Sequence, residues 1–302
     1  MASNRLSAAQ AAAYEDDGFV IVPNWLDRGT VDLMLRVAKA DQDFTDAGRD
    51  VTDQQGLTTR LAIRMWELPK DTYSAFCRHE KIVGPIEQLL GSPVFHYHHK
   101  MMLKEPRTGG AWEWHQDYGY WYSNFLQDRL ASCMIAVDRA TKENGCLQVL
   151  KGSHKAGRIQ HMQVGTKSDQ TGASPERVAL LEKVLPIVHC EMEPGSALFF
   201  HSNLLHRSAA NRSEHSRWSL ICCYGATDNP PIYDLRLKSN EERDLDDIAT
   251  EVAEERESRG LSESEKGLGR VEVWSQAQVA AAGQAHWARL QGQKRFRSAS
   301  KL

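Results

Sequence analysis

The chain has 302 residues, enough for one large domain or two small ones, and a chain of this length buries about three quarters of its unfolded surface without disulfide or metal staples. Hydrophobic residues make up 41% and charged residues 25%, with a formal net charge of −3. That balance excludes the strong field of a nucleic-acid or anionic-membrane binder; only the last stretch, QKRFRSASKL, is locally basic, and it reads as a solvated tail.

In chain order, MASNRLSAAQ lacks the apolar core of a secretory leader, and no apolar run reaches the roughly 18 residues of a membrane span. SAAQAAAYEDDG predicts a short helix, with Ser7 as N-cap and Gly18 as its stop. FVIVP follows as a short buried strand. Val31, Leu33, Met34, Leu35 and Val37 give residues 28–45 a helical pattern, and 72–91 reads as helical with a break near Gly84-Pro85. The character then changes. SPVFHYHHKMML, RLASCMIAVD, GCLQVLKGS, PIVHCEM, SALFFHSN and RWSLICCYGA are short β-rich runs separated by turn signals such as Asn144-Gly145 and Pro194-Gly195, which argues for a sandwich or barrel. ASPERVALLEKVL interrupts them as a helix in a long connection. After Pro231 the chain turns polar and helical, first with the charged LDDIATEVAEERESRG and then with the Ala-rich VWSQAQVAAAGQAHWARLQ. There is no internal repeat. One unit over 1–302 is expected: helices and first strands over 1–91, a β core over about 92–226, and a helical extension over 227–302. The tail helix around Val279 to Ala285 offers an apolar face to the domain itself or to a second copy in a homo-oligomer.

Six cysteines, none in a C-x-x-C pair and several in apolar runs, indicate a reducing compartment, so a cytoplasmic protein is expected.

WEWHQDYGYW, residues 112–121, sets His115 and Asp117 two apart among aromatic side chains. In a strand, positions i and i+2 share a face, so the two project together, and an imidazole with a carboxylate is two thirds of a non-haem Fe(II) facial triad. A His-x-Asp alone is a weak signal. The third ligand must come from elsewhere, and spacing does not choose among His154, His161, His189, His201, His206, His215 and His286. HYHH, 96–99, raises a second metal reading, with His96 and His98 sharing a face. Gly91 and Glu105 are off the cupin spacing, which favours one of these histidines lining the pocket instead.

Taken together, HQDYGYW, ENGCLQVLKGSH and HSNLLHRSAANRSEHSR resemble the phytanoyl-CoA dioxygenase-like family of Fe(II)- and 2-oxoglutarate-dependent oxygenases, which includes ectoine hydroxylase. The opening AAAYEDDGFVIVPNWL is similar as well. The resemblance covers roughly residues 10–226 and is strongest over 112–219; 227–302 match nothing recognised. It implies a mainly β fold with flanking helices, on a double-stranded β-helix (jelly-roll) core. It makes His115, Asp117 and His206 the iron ligands, with His201 the rival for the third place. Arg217 matches the residue that pairs with the distal carboxylate of 2-oxoglutarate, a role suited to a planar guanidinium fork, and Ser219 lies on the same strand face. Trp121, Ser132 and, more loosely, His99 match positions near the cosubstrate. Arg64, with Arg60 behind it, falls where the family draws a carboxylate-binding residue, and Tyr120 and Tyr122 are placed to meet the substrate. ENG and GSH are family landmarks that read as structural. Because Asp117 is present, where related halogenases have a small residue, the resemblance implies oxygenation: 2-oxoglutarate and O2 consumed, succinate and CO2 released, and an unactivated C–H of a small metabolite oxidised.

Two other classes compete. A non-catalytic jelly roll that binds metal or ligand would not need the full set of His115, Asp117, His206 and Arg217. A zinc hydrolase accepts two histidines and a carboxylate but gives Arg217 no role. The aromatic run after Asp117 leads us to expect a compact polar or cationic substrate rather than a long acyl thioester, since rings around a site stabilise a cation.

Overall fold

The longest β-rich run forms β4 (Val94–Lys104), which pairs antiparallel along its length with the last long strand, β13 (Arg217–Ala226). Around this pair a seven-stranded sheet is built from β1 (Phe19–Val22), β2 (Arg49–Thr52), β3 (Thr58–Met65), β6 (Leu130–Ala136) and β11 (Ala197–His201), in the order β1-β11-β6-β13-β4-β3-β2. A four-stranded sheet faces it, β10-β7-β12-β5, formed by β5 (Trp112–His115), β7 (Leu147–Leu150), β10 (Ile187–Cys190) and β12 (His206–Ser208). The two together make the jelly-roll core. A small ribbon of β8 (His161–Gln163) and β9 (Thr171–Ala173) lies beside β5. The structure, a computed structural model, describes residues 4–65, 67–164, 170–231 and 269–299.

Strand alternation sorts the core into two layers. Phe95, Tyr97, Met102, Met134, Phe200, Ile221 and Cys223 of the large sheet pack with Leu147, Val149 and Cys190 of the small one. Met101, Leu103, Leu220 and Cys222 point the other way, onto the helices α2 (Arg28–Ala40), α4 (Thr72–Cys77), α5 (Glu80–Leu90) and α8 (Gln276–Ala299). The sheet takes in strands from residue 19 onward, so the β core is wider than the 92–226 read from the sequence.

The first helix, α1 (Ala8–Asp17), follows its signals. Ser7 and Gln10 form a reciprocal capping box, and Gly18 ends the helix at φ 84°. The pattern over 28–45 is split at Asp41, whose carboxylate accepts from the Phe44 N–H and so starts α3 (Gln42–Asp46). The expected break at Gly84-Pro85 is absent; the chain instead breaks at Arg78–His79, between α4 and α5. Pro85 has no N–H for the Lys81 carbonyl, and the Trp25 indole donates to that carbonyl in its place. The expected helix over 173–185 is α7 (Pro175–Leu181).

The apolar face of the tail helix is covered by its own chain. Val279 and Leu290 enter the helical layer of the core, and α8 packs on α2 and α4. The basic end, expected as a solvated tail, continues α8 to Ala299. The charged stretch LDDIATEVAEERESRG lies outside the described residues.

Candidate metal centre and cosubstrate cavity

His115 is the last residue of β5 and His206 the first of β12, and the two are cross-strand partners with ring centroids 4.0 Å apart. Asp117 reaches the same point by a different route from strand alternation. The chain leaves the strand at Gln116, and Asp117 opens the short helix α6 (Asp117–Trp121). Gln116 fixes this corner. Its buried amide donates to the carbonyls of Gly157 (2.8 Å) and Asn203 (2.7 Å), its Oε1 accepts from the Ile159 N–H (2.6 Å), and its own N–H donates to His161 Nε2 (3.1 Å). The Asp117 carboxylate then lies 4.0 Å from His206 Nε2, and Ser132 Oγ donates to it at 2.8 Å.

The ligand atoms of His115, Asp117 and His206 all lie within 4.8 Å of one another, and all three residues are buried. Each histidine gives its Nδ1–H to a main-chain carbonyl two residues back, Glu113 for His115 (2.7 Å) and Leu204 for His206 (2.9 Å). That choice leaves Nε2 with its lone pair. Burial, with the neighbouring His206, holds the His115 pKa well below the ordinary histidine value, and burial lowers that of His206 too. Both rings are therefore neutral, the form that binds metal. Two neutral imidazoles and one carboxylate, with second partners in place, fit a divalent iron and leave coordination positions open. His201 does not join them: its Nδ1 accepts from the Asn203 N–H, and its ring faces Tyr14 and His154.

The trio lines one cavity with Lys100, Met102, Trp112, Met134, Phe200 and Arg217. Arg217 is buried. It donates to the Gly145 carbonyl (2.9 Å) and to Ser219 Oγ (3.2 Å), its Nε has no partner, and no carboxylate pairs with it among the described residues. Burial lowers its pKa to about 10, so it stays charged at neutral pH. The ENG turn supplies that Gly145 carbonyl; Gly145 sits at φ 77°, and a Cβ there would come within 2.2 Å of the Ala209 carbonyl. An unpaired buried guanidinium asks for an anion, and Lys100 adds a second cation on the same wall. The two together fit a dicarboxylate. Sequence reasoning passed over Gln116 and Lys100, and offered His161 only as one of several candidates for the third ligand. Lys100 stands two residues before Met102 on the cavity face of β4, so strand parity alone pointed to it.

The remaining candidates separate. Ser132 contacts Asp117, and Tyr120 stands 5.4 Å from the His115 ring, with its hydroxyl donating to the Thr171 carbonyl. Trp121 packs edge-on against Tyr97 and His98 rather than lining the cavity, because α6 turns its ring into the core. Tyr122 is 53% exposed, under the Arg158 guanidinium. His99 points toward the helical layer, away from the cavity, because one extra residue in β4 at Tyr97 shifts the alternation of that strand. Arg64 lies on β3 opposite His99. The aromatic run after Asp117 therefore scatters around a helix and does not box the site.

A jelly roll with two histidines and a carboxylate lining one cavity, and an anion-seeking arginine on the wall of the same cavity, defines the non-haem iron oxygenases that consume 2-oxoglutarate. The chain belongs to the phytanoyl-CoA dioxygenase family: the profile described as Phytanoyl-CoA dioxygenase (PhyH) matches residues 14–219. It is similar to the L-proline trans-4-hydroxylase of Streptomyces griseoviridis, 31% identical over 169 residues, which are 51% of this chain and 63% of that enzyme. It is similar along more of its length to a probable phytanoyl-CoA dioxygenase of Caenorhabditis elegans, 25% identical, with 89% of this chain and 91% of that one covered. Among solved structures, EctD from S. alaskensis with 2-oxoglutarate and 5-hydroxyectoine has the same fold, with a TM-score of 0.65 at 20% identity, over 89% of this chain and 88% of that one. The protein is thus an Fe(II)- and 2-oxoglutarate-dependent dioxygenase acting on a small molecule, with O2 as the other cosubstrate.

Proposed function

We propose that His115, Asp117 and His206 hold the iron, that Arg217 with Ser219 anchors the distal carboxylate of 2-oxoglutarate, and that the substrate is a compact acidic or zwitterionic metabolite. The observation that carries the first two assignments is their shared cavity: the trio and an unpaired buried guanidinium line the same space. When bound there, Fe(II) with 2-oxoglutarate and O2 supplies the oxidising chemistry, and the cosubstrate leaves as succinate and CO2. The chain's own part is position. Ser132 restrains the Asp117 carboxylate, the Glu113 and Leu204 carbonyls set the two ring orientations, and Met102, Met134 and Phe200 keep water from the reacting centre.

Charge supports the substrate class. The lining carries three cations, Lys100, Arg207 and Arg217, against one carboxylate, Asp117, which the metal uses. Two cations balance 2-oxoglutarate, and the third, Arg207, which stacks on the Trp114 ring and lies 3.8 Å from Glu182, is the group that would exchange that carboxylate for an acidic group on the substrate. An amine finds no free carboxylate there, so the cationic half of the earlier expectation loses its support, as does the aromatic box. The relatives named for L-proline and for phytanoyl-CoA bracket the alternatives. Succinate release from 2-oxoglutarate, measured with a panel of amino acids, simple amines, phosphonates and acyl-CoAs, tests the reading. Stimulation by amino acids or phosphonates is expected; stimulation by amines or acyl-CoAs alone overturns it. A cytoplasmic location is part of the proposal, supported by six free cysteines, all buried. Among the described residues no helix is long and apolar enough to cross a membrane.

A further inference from the structure

A second set of metal-ligating side chains lies on the opposite face of the large sheet. Cys77, the last residue of α4, and His96 and His99 of β4 have ligand atoms all within 4.8 Å of one another, and each of the three is 0% exposed. The sequence reading paired His96 with His98. A bulge in β4 changes that pairing: His98 stands opposite Cys223 and His96 opposite Tyr224, so one extra residue is accommodated at Tyr97. The bulge turns the rings of both Tyr97 and His98 toward Trp121, on the side of the cavity, and leaves His96 and His99 together on the side of Met101, Leu103 and the helices. His99 Nδ1 is 3.1 Å from His96 Nε2. Cys222, the cross-strand partner of His99, places its Sγ 3.5 Å from Cys77 Sγ. The Tyr224 hydroxyl donates to the Cys77 carbonyl at 2.8 Å and so ties the end of α4 to this part of the sheet.

We propose that Cys77, Cys222, His96 and His99 form a second, structural metal site that takes zinc. Three arguments converge. With Zn–S near 2.3 Å and Zn–N near 2.05 Å, the edges of a tetrahedron are about 3.8 Å between sulfurs and about 3.3 Å between nitrogens. The 3.5 and 3.1 Å found here expand to those values with shifts of a few tenths of an ångström, whereas Cys222, which is not within 4.8 Å of all three of the others, moves further to close its edges to the histidines. The charge closes as well: two thiolates neutralise the dication, each thiol releasing one proton, so no net charge is left in a sealed core. The ligand set also discriminates, since thiolates favour zinc, whereas the imidazole–carboxylate trio on the other face suits Fe(II). Four protein ligands and no exposure leave no position for substrate, so the metal's work is to pin α4 to β4 and β13. It is acquired as the chain folds, since the finished core has no entrance there.

The test uses the full chain with Asp117→Ala, which removes a ligand from the iron site only. Purified from medium containing zinc, this variant is expected to keep about one zinc per chain by elemental analysis. Unfolding the chain and refolding it with Co(II) in place of zinc is expected to give an intense near-ultraviolet thiolate-to-cobalt band, which the sulfur-free trio cannot produce. Cys77→Ser and, separately, Cys222→Ser in the same background are expected to lose both the band and the metal. Asp117→Ala refolded in the presence of a strong chelator is expected to have a lower Tm than the same chain refolded with zinc. Absence of the cobalt band in a folded Asp117→Ala chain overturns the proposal, whether or not the serine variants fold. If Asp117 is not an iron ligand, the variant holds two metals instead of one, and the band still reports the sulfur site alone.

Discussion

Strands β4 and β13 present two chemistries on their two faces. Toward the small sheet they display Lys100, Met102, Arg217, Ser219 and Ile221, around a cavity that takes in His115, Asp117 and His206. Toward the helices they display His96, His99, Leu103, Leu220, Cys222 and Tyr224 in a sealed layer. The cavity face keeps a cation without an ion partner, as a site for a diffusing dianion requires. On the helical face the polar groups of these strands turn to one another: His96 meets His99, and the Tyr224 hydroxyl meets the Cys77 carbonyl. Unpaired charge marks where something must arrive, and mutual satisfaction marks where nothing enters from solvent.

The sharpest way to break the comparison is to disarm the cavity face. Asp117→Ala or His206→Ala should keep the fold and lower succinate formation from 2-oxoglutarate by more than the roughly 100-fold that loss of an outer partner costs. His201→Ala, on a ring that faces Tyr14 and His154, should leave it nearly unchanged. Wild-type turnover in either of the first two variants removes that residue from the metal site.

Arg217→Lys preserves charge but loses the fork. The KM for 2-oxoglutarate should rise about 10- to 100-fold, if roughly 1.5 to 3 kcal/mol of charge-assisted hydrogen bonding is lost. An unchanged KM moves the carboxylate anchor elsewhere, with Lys100 next in line.

Ser132→Ala deletes the hydroxyl that restrains Asp117. Its effect should be smaller, about 10-fold in apparent Fe(II) affinity at unchanged Tm, as for other outer partners of metal ligands. An equal loss in Ser132→Thr, which restores a hydroxyl, would assign the effect to packing instead.

The smallest effect belongs to the helical layer. Burial raises the Asp41 pKa, but the bonds from His286, the Phe44 N–H and the Tyr73 hydroxyl outweigh it and leave it below the ordinary value. The folded carboxyl is then the stronger acid, and the unfolded chain takes up its proton first. This stabilisation is complete above the unfolded value near 3.9 and is lost as pH falls through the folded one. Asp41→Asn should cost about 1.5 kcal/mol at neutral pH and flatten the acid limb of a Tm-versus-pH curve. An unchanged acid limb would show that α8 is held by apolar contacts such as Val279 and Leu290 alone.

Much of this was legible from the chain itself, because it depends on local signals. Ser7, Gln10 and Gly18 bracket α1 by satisfying its own ends, and the β-branched and aromatic runs over 94–103, 129–138, 196–203 and 217–226 become strands whose faces alternate. The ordered motifs around His115, His154 and His206 carried the family, and with it the iron and 2-oxoglutarate chemistry. What tertiary structure decided depends on which distant residues meet. His115 and Asp117 converge because Gln116 is tied to Gly157, Ile159 and Asn203, not because they share a strand face. The rings of Trp121 and Tyr122 leave the cavity because α6 begins at Asp117 and winds them round a helix, a switch of period from two to 3.6 that no pair spacing announces. His99 joins His96 rather than the cosubstrate because one extra residue in β4, at Tyr97, inverts the alternation, and a bulge of that kind is set by pairing with β13 more than a hundred residues away.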